Sequence, residues 1–130
     1  MKKHILLIDR FRDNFSTYTM AIRALCKKEF GIEVTVFCTD DPSEGREYFE
    51  KHCSELDFVL VGAIACHLVP TFKAAFDGKP IFGMASLRQD RQNLFLAGCT
   101  VSFDKLVFYV ELGDHLRKLS QAQKTEAALL

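Results

Sequence analysis

Apolar residues fall in short blocks between amphipathic stretches, and the blocks alternate between strand-like and helix-like periodicity. His4–Ile8 is a continuous apolar run closed by Asp9, as expected for a strand buried on both faces of a parallel sheet. Asn14 then offers an N-cap, and Phe15, Tyr18, Ile22 and Leu25 recur at helical spacing until Gly31. Glu33–Cys38 alternates and carries the β-branched Val34 and Val36, which predicts a second strand. Asp41-Pro42-Ser43-Glu44 is a helix start, with Asp41 as cap, Pro42 in the first turn and Glu44 placed for a capping-box contact. That helix is expected to run to about Cys53.

Phe58–Val61 is the most apolar short run and reads as the central strand, with Gly62 at its carboxyl end. Pro70 opens a short helix through Phe72, Ala75 and Phe76, stopped by Asp77-Gly78. Pro80–Ala85 is a fourth strand, and a helix through Leu94 and Phe95 ends at Ala97-Gly98, with Gly98 as a left-handed cap. Cys99–Phe103 is a fifth strand. Phe108, Leu112, Leu116 and Leu119 mark the buried face of a last helix. Residues 1–120 are thus expected to form the domain, and residues 121–130 a polar, Ala-rich tail that frays. Strict alternation of strands and helices implies right-handed crossovers and a doubly wound, flavodoxin-like α/β fold with a five-stranded parallel sheet.

Composition narrows the function classes. The chain has 130 residues, 48% hydrophobic and 26% charged, an ordinary balance for one globular domain. Lys plus Arg number 17 and Asp plus Glu number 17, so no net field draws in nucleic acid or anionic lipid. Apolar runs such as Phe58–Ala65 fall far short of the roughly 20 residues that span a bilayer. Met1-Lys2-Lys3-His4 runs straight into the first strand and does not resemble a secretory signal. The cysteines number 5, an odd count without a CxxC pair, and read as reduced thiols of a cytoplasmic protein. Phenylalanine is abundant, at 12 with no Trp, more than a small core readily hides, which points to a partner surface. No segment is long enough for an attached output domain, so the activity is expected to pass through the domain's own contacts.

In an open parallel sheet, ligands bind beyond the carboxyl ends of the strands, where strand order reverses. Asp9, Arg10, Gly62, Ala85, Ser86 and Lys105 occupy those ends. This set resembles the phosphoryl-acceptor pocket of the receiver domain of two-component response regulators. The segments that carry the resemblance are Ile5-Leu6-Leu7-Ile8-Asp9, Asp57-Phe58-Val59-Leu60-Val61-Gly62, Lys79-Pro80-Ile81-Phe82, and Ala97-Gly98 with Lys105 seven residues after Gly98. The resemblance implies a degenerate form, a pseudo-receiver. The family's acid pair, which holds Mg²⁺, is here Asp9-Arg10, and its acceptor aspartate falls on Gly62. Its Ser/Thr falls on Ala85 or Ser86, its switch aromatic on Ser102, and the Pro after its Lys is Leu106. The segment from Gly62 to Pro80 is shorter than usual, with a clipped third helix.

Without an acceptor or a metal, the expected function is a non-phosphorylatable interaction module in signal transduction, with no catalysis and no cofactor. Asp9, Arg10 and Lys105 are expected to form a standing ion-pair cluster in place of the phosphate-bound arrangement. Phe95 and Tyr109 on the last two helices are the expected contacts with a protein partner or a second copy, whereas Phe108 shares the core stripe. No nucleic-acid or membrane partner is expected. The alternative is a small-molecule sensor or small enzyme in the crevice near Asp9, Gly62, Cys66 and Ser86, with Gly62 leaving room for a ligand.

Three further chemistries are weaker. His52-Cys53 and Cys66-His67 contain zinc-ligand types, but adjacent residues seldom point the same way, so no metal site is expected. The same geometry argues against a Cys66 nucleophile activated by His67. The bulky, charged run Arg10-Phe11-Arg12-Asp13-Asn14 is no glycine-rich phosphate loop.

Overall fold

The computed structural model describes residues 3–129. Met1 and Lys2, at the head of the expected first strand, and Leu130, at the end of the expected tail, lie outside the described residues. In chain order the elements are β1 (Lys3–Ile8), α1 (Phe15–Phe30), β2 (Val34–Thr39), α2 (Pro42–His52), β3 (Leu56–Gly62), α3 (Val69–Ala75), β4 (Ile81–Ala85), α4 (Arg88–Ala97), β5 (Val101–Asp104) and α5 (Phe108–Leu129). All strand pairs are parallel, in the order β2-β1-β3-β4-β5. This is the predicted doubly wound α/β sheet, with Phe58–Val61 in its central strand.

Alternate strand residues feed opposite cores, as the two-residue repeat of a strand requires. Ile5 and Leu7 join Phe82, Met84 and Phe103 beneath α1 and α5, where Tyr18, Ile22, Leu25, Leu112 and Leu116 pack. Leu6 and Ile8 join Val59, Val61 and Ile81 on the other face, against Phe49, Phe72, Phe76 and Leu94.

Several local signals act as read. Gly31 ends α1 at φ 68°, and the Asp77-Gly78 turn takes φ 46° and 82°. Asp41 caps α2 by accepting a hydrogen bond from the Ser43 backbone N–H at 2.9 Å.

Others differ. Asn14 precedes α1 but makes no side-chain cap; its amide donates to the Tyr18 hydroxyl at 3.4 Å, because a 3₁₀ turn over Arg12–Asn14 already leads into the helix. A 3₁₀ stretch over Ala63–Leu68 occupies the clipped segment before α3. α5 continues to Leu129 through the expected tail, carried by Ala, Gln, Lys and Glu of high helix propensity. Its packing nevertheless stops at Ser120, whose hydroxyl donates to the Glu29 carbonyl at 2.7 Å, and residues 121–129 are exposed.

Candidate functional site

Strand order reverses between β1 and β3, and their register pairs Ile8 with Val61. Asp9 and Gly62 therefore emerge side by side from the sheet's carboxyl edge. The Asp9 backbone N–H donates to the Thr39 carbonyl at 3.0 Å, which turns the chain at the strand's end. The Asp9 side chain points inward and is 1% exposed.

Lys105 reaches the same point from β5. Asp104 caps the 3₁₀ turn Lys105–Val107 by accepting from the Leu106 N–H at 3.0 Å, which fixes where Lys105 leaves the strand. Lys105 Nζ donates to Asp9 Oδ1 at 2.6 Å, with the lysine side chain only 11% exposed. Such a charge-assisted bond is short, and at low exposure the loss of either partner would leave the other charge buried without compensation. Phe11 covers it, with Lys105 Nζ 4.4 Å from the ring centroid.

The second expected cation is elsewhere. Arg10 is exposed and stands 5.6 Å from the Phe11 centroid, not on Asp9, so the three-member cluster reduces to the pair Asp9–Lys105. The physical reason is side-chain alternation: with Asp9 directed inward, the next residue is directed to solvent.

Gly62 does not leave room for a ligand. A Cβ there would stand 2.7 Å from Asp9 Oδ1 and 3.1 Å from the Ile8 carbonyl, so the Asp9 carboxylate already fills the space a side chain would need. The remaining crevice, bordered by Arg10, Ala63, Ile64, Ala85, Ser86, Leu87 and Asp90, holds about 230 Å³. That is below the roughly 300–1,000 Å³ of ordinary ligand pockets. Ala85 is buried at the end of β4 and Ser86 is exposed just beyond it.

Arg91 of α4, which sequence reading missed, organises this edge. Its Nη1 donates to the carbonyls of Ala85 at 3.0 Å and Ser86 at 2.9 Å, and lies 3.8 Å from Asp104 Oδ2. It ties the β4–α4 connection to the end of β5. Its only sequence signal was an arginine in the helix that follows the loop.

Burial, then the charge of Asp9, pushes the Tyr18 phenol up. Burial, then Asp90, does the same to the Cys66 thiol, while His67 is exposed, so nothing activates Cys66 as a nucleophile. The expected zinc-type residues are not brought together either: Cys53 Sγ donates to the Ala75 carbonyl at 3.6 Å, and His52 turns toward Glu55. Cys26 and Cys99 are buried thiols pushed up to about 12 by burial first, with Asp57 and Cys66 adding to it respectively. Under mildly alkaline iodoacetamide, both are expected to stay unlabelled in the native protein and to label fully after denaturation, as read by peptide mass spectrometry. Native labelling of Cys99 would contradict the packing of α4 on the sheet.

Of the residues expected on a partner face, Phe95 is 58% and Tyr109 47% exposed, and Phe108 is buried. Leu96, Leu106 and Val110, not singled out from sequence, are exposed as well.

No protein-family model matches the chain, and no curated protein matches it in sequence. Solved structures do match it. A response regulator receiver domain protein from Clostridium thermocellum superposes with a TM-score of 0.68 at 16% identity, over 95% of this chain and 98% of that one. A CheY-like receiver domain protein from Methanospirillum hungatei JF-1 gives 0.67 at 14% identity, over 97% and 99%. The receiver domain of the Francisella response regulator 1452 gives 0.64 at 14%, over 93% and 98%. The fold is that of a response regulator receiver domain.

The receiver fold implies Mg²⁺ at the Asp9 end of the sheet, and the residues present do not fit the ion. Mg²⁺ requires octahedral oxygen ligation, with one or two carboxylates and several waters. Asp9 Oδ1 is already held by the Lys105 ammonium, the residue after Asp9 is the cationic Arg10, and Gly62 contributes no oxygen from a side chain.

Proposed function

We propose that this chain is a pseudo-receiver: a cytoplasmic signalling module, formed by residues 1–120, that acts by protein contact and accepts no phosphoryl group. The observation that carries this reading is the closed pair of Asp9 and Lys105 lying against Gly62, where the Cβ of any acceptor would collide with Asp9 Oδ1. Phosphorylation switches work because a new anion gains partners it did not have. Here Lys105 already holds its anion, and the position that would carry the phosphate has no side chain. No helix among the described residues is long and apolar enough to cross a membrane.

The output surface is the face of α4, β5 and the start of α5. Phe95 and Leu96 project from α4, and Leu106, Tyr109 and Val110 from the start of α5 and the turn before it. Arg88, Arg91, Gln92, Val101 and Ser102 border a shallow groove of about 720 Å³ beside Phe95 and Leu96. Scattered exposed apolar residues are ordinary, but Phe95 and Leu96 share one groove with Arg88 and Arg91, an apolar patch edged by charge of the kind that protein contacts use. The partner is a protein, with a second copy of the chain the first to test.

Phe95→Asp and Tyr109→Asp place a charge in that surface without touching the core. Sedimentation velocity and bait capture with the wild type are expected to show an association that both variants lose while their melting curves stay unchanged. Association identical in all three proteins would remove this face.

A further inference from the structure

We propose that His4, His52 and Glu55 form a binding site for a divalent transition ion of borderline softness, Zn²⁺ above all, at the end of the sheet opposite Asp9. His4 lies at the start of β1, His52 is the last residue of α2, and Glu55 ends the 3₁₀ turn Cys53–Glu55 that follows. The first strand, the end of α2 and the turn after it thus bring two imidazoles and a carboxylate together, with one donor atom from each within 4.8 Å of the others.

His4 Nε2 lies 3.3 Å from Glu55 Oε2, and His52 Nδ1 lies 3.1 Å from the other oxygen, Oε1, so the carboxylate bridges the two imidazoles and must turn one oxygen toward both for them to share an ion. Metal–ligand bonds of roughly 2.0–2.1 Å in a tetrahedron place ligand atoms about 3.3 Å apart. Two imidazoles and a carboxylate are the ligand set of open zinc sites, with water in the fourth place. The half-exposed Glu55 side chain leaves that fourth direction to solvent.

Outer contacts prepare the ligands. His4 Nδ1 lies 2.6 Å from the Tyr48 hydroxyl oxygen. When that nitrogen donates its N–H to Tyr48, the lone pair of Nε2 is left facing Glu55, which is the orientation a metal ligand needs. Tyr48 is itself fixed by stacking on Phe37, with centroids 4.3 Å apart and planes at 5°. The imidazoles of His4 and His52 stack at 4.4 Å and 18°. Sharing an ion therefore requires one of the two rings to turn out of this stack.

A hydrogen-bonded network without affinity for metal would tie β1 to α2 through the same atoms, so the test must read the metal itself. Chelator-treated, reduced protein is titrated with Zn²⁺ by calorimetry and with Co²⁺ by absorption. The expected result is binding of a single ion per chain, with the visible bands of tetrahedral Co²⁺ and no thiolate charge-transfer band. His52→Gln and Glu55→Gln are each expected to weaken binding beyond the ~10–100-fold that loss of an outer-shell partner costs, and Tyr48→Phe to fall within that range. Cys53→Ser and His67→Gln should bind as the wild type does. Absence of Zn²⁺ binding, a thiolate band, or unchanged affinity in Glu55→Gln would overturn the site. Glu55→Gln, which changes a half-exposed side chain to its isostere, serves as the decisive variant should His52→Gln fail to fold.

Discussion

Gly62→Asp, which installs a carboxylate where responsive receivers would accept phosphate, is expected to destabilise the protein by about 4 kcal/mol or more, from overpacking and from burying a second charge together. The Cβ alone would sit 2.7 Å from Asp9 Oδ1 and 3.1 Å from the Ile8 carbonyl, and the latter is backbone that cannot rotate aside. The new carboxylate would then face a buried one, with the ammonium of Lys105 already engaged. Gly62→Ala separates the two costs, since it adds only the steric one of about 1–3 kcal/mol. Urea unfolding of both variants measures the difference. A Gly62→Asp protein as stable as the wild type would show that the space beside Asp9 is not filled.

Lys105→Ala is the second large effect, with an expected loss of about 3 kcal/mol from leaving a buried carboxylate without its counter-charge. Asp9 is 1% exposed, and Lys105 is its sole ion-pair partner among the described residues. The loss therefore belongs to the stranded anion more than to the bond itself. Asp9→Ala in the Lys105→Ala background is expected to recover a substantial part of it, because removing both charges removes the burial cost as well. Chemical denaturation of the two singles and the double closes that cycle. Additive losses would mean the ammonium and carboxylate are not coupled.

The fold was legible because strand burial is written on both faces. His4–Ile8 and Phe58–Val61 carry continuous apolar residues, which only a covered parallel sheet accommodates. Gly31, Asp41-Pro42 and Asp77-Gly78 marked boundaries through their backbone preferences, and the structure uses each one. The 3₁₀ segments over Arg12–Asn14 and Ala63–Leu68 were not legible, since such turns depend on how the chain is led into the next helix rather than on a periodic pattern.

The site was legible in part for a comparable reason. Asp9 and Lys105 follow strand ends, and parallel register carries both to one edge of the sheet. The direction of Arg10 and the filling of the space at Gly62 are properties of side-chain packing, which residue types do not reveal. His4 and Glu55 were invisible as partners of His52 because nothing local in sequence links the first strand to the turn after α2. Arg91 escaped notice because its partners are backbone carbonyls, which every residue has.

Intact-mass spectrometry after incubation with acetyl phosphate and Mg²⁺ asks most directly whether this receiver fold has lost its switch. On the proposed reading, in which Gly62 stands in the acceptor's place and Lys105 holds Asp9, the mass should remain that of the unmodified chain. A gain of about 80 Da, the increment of one phosphoryl group, mapped to an acidic side chain would contradict it.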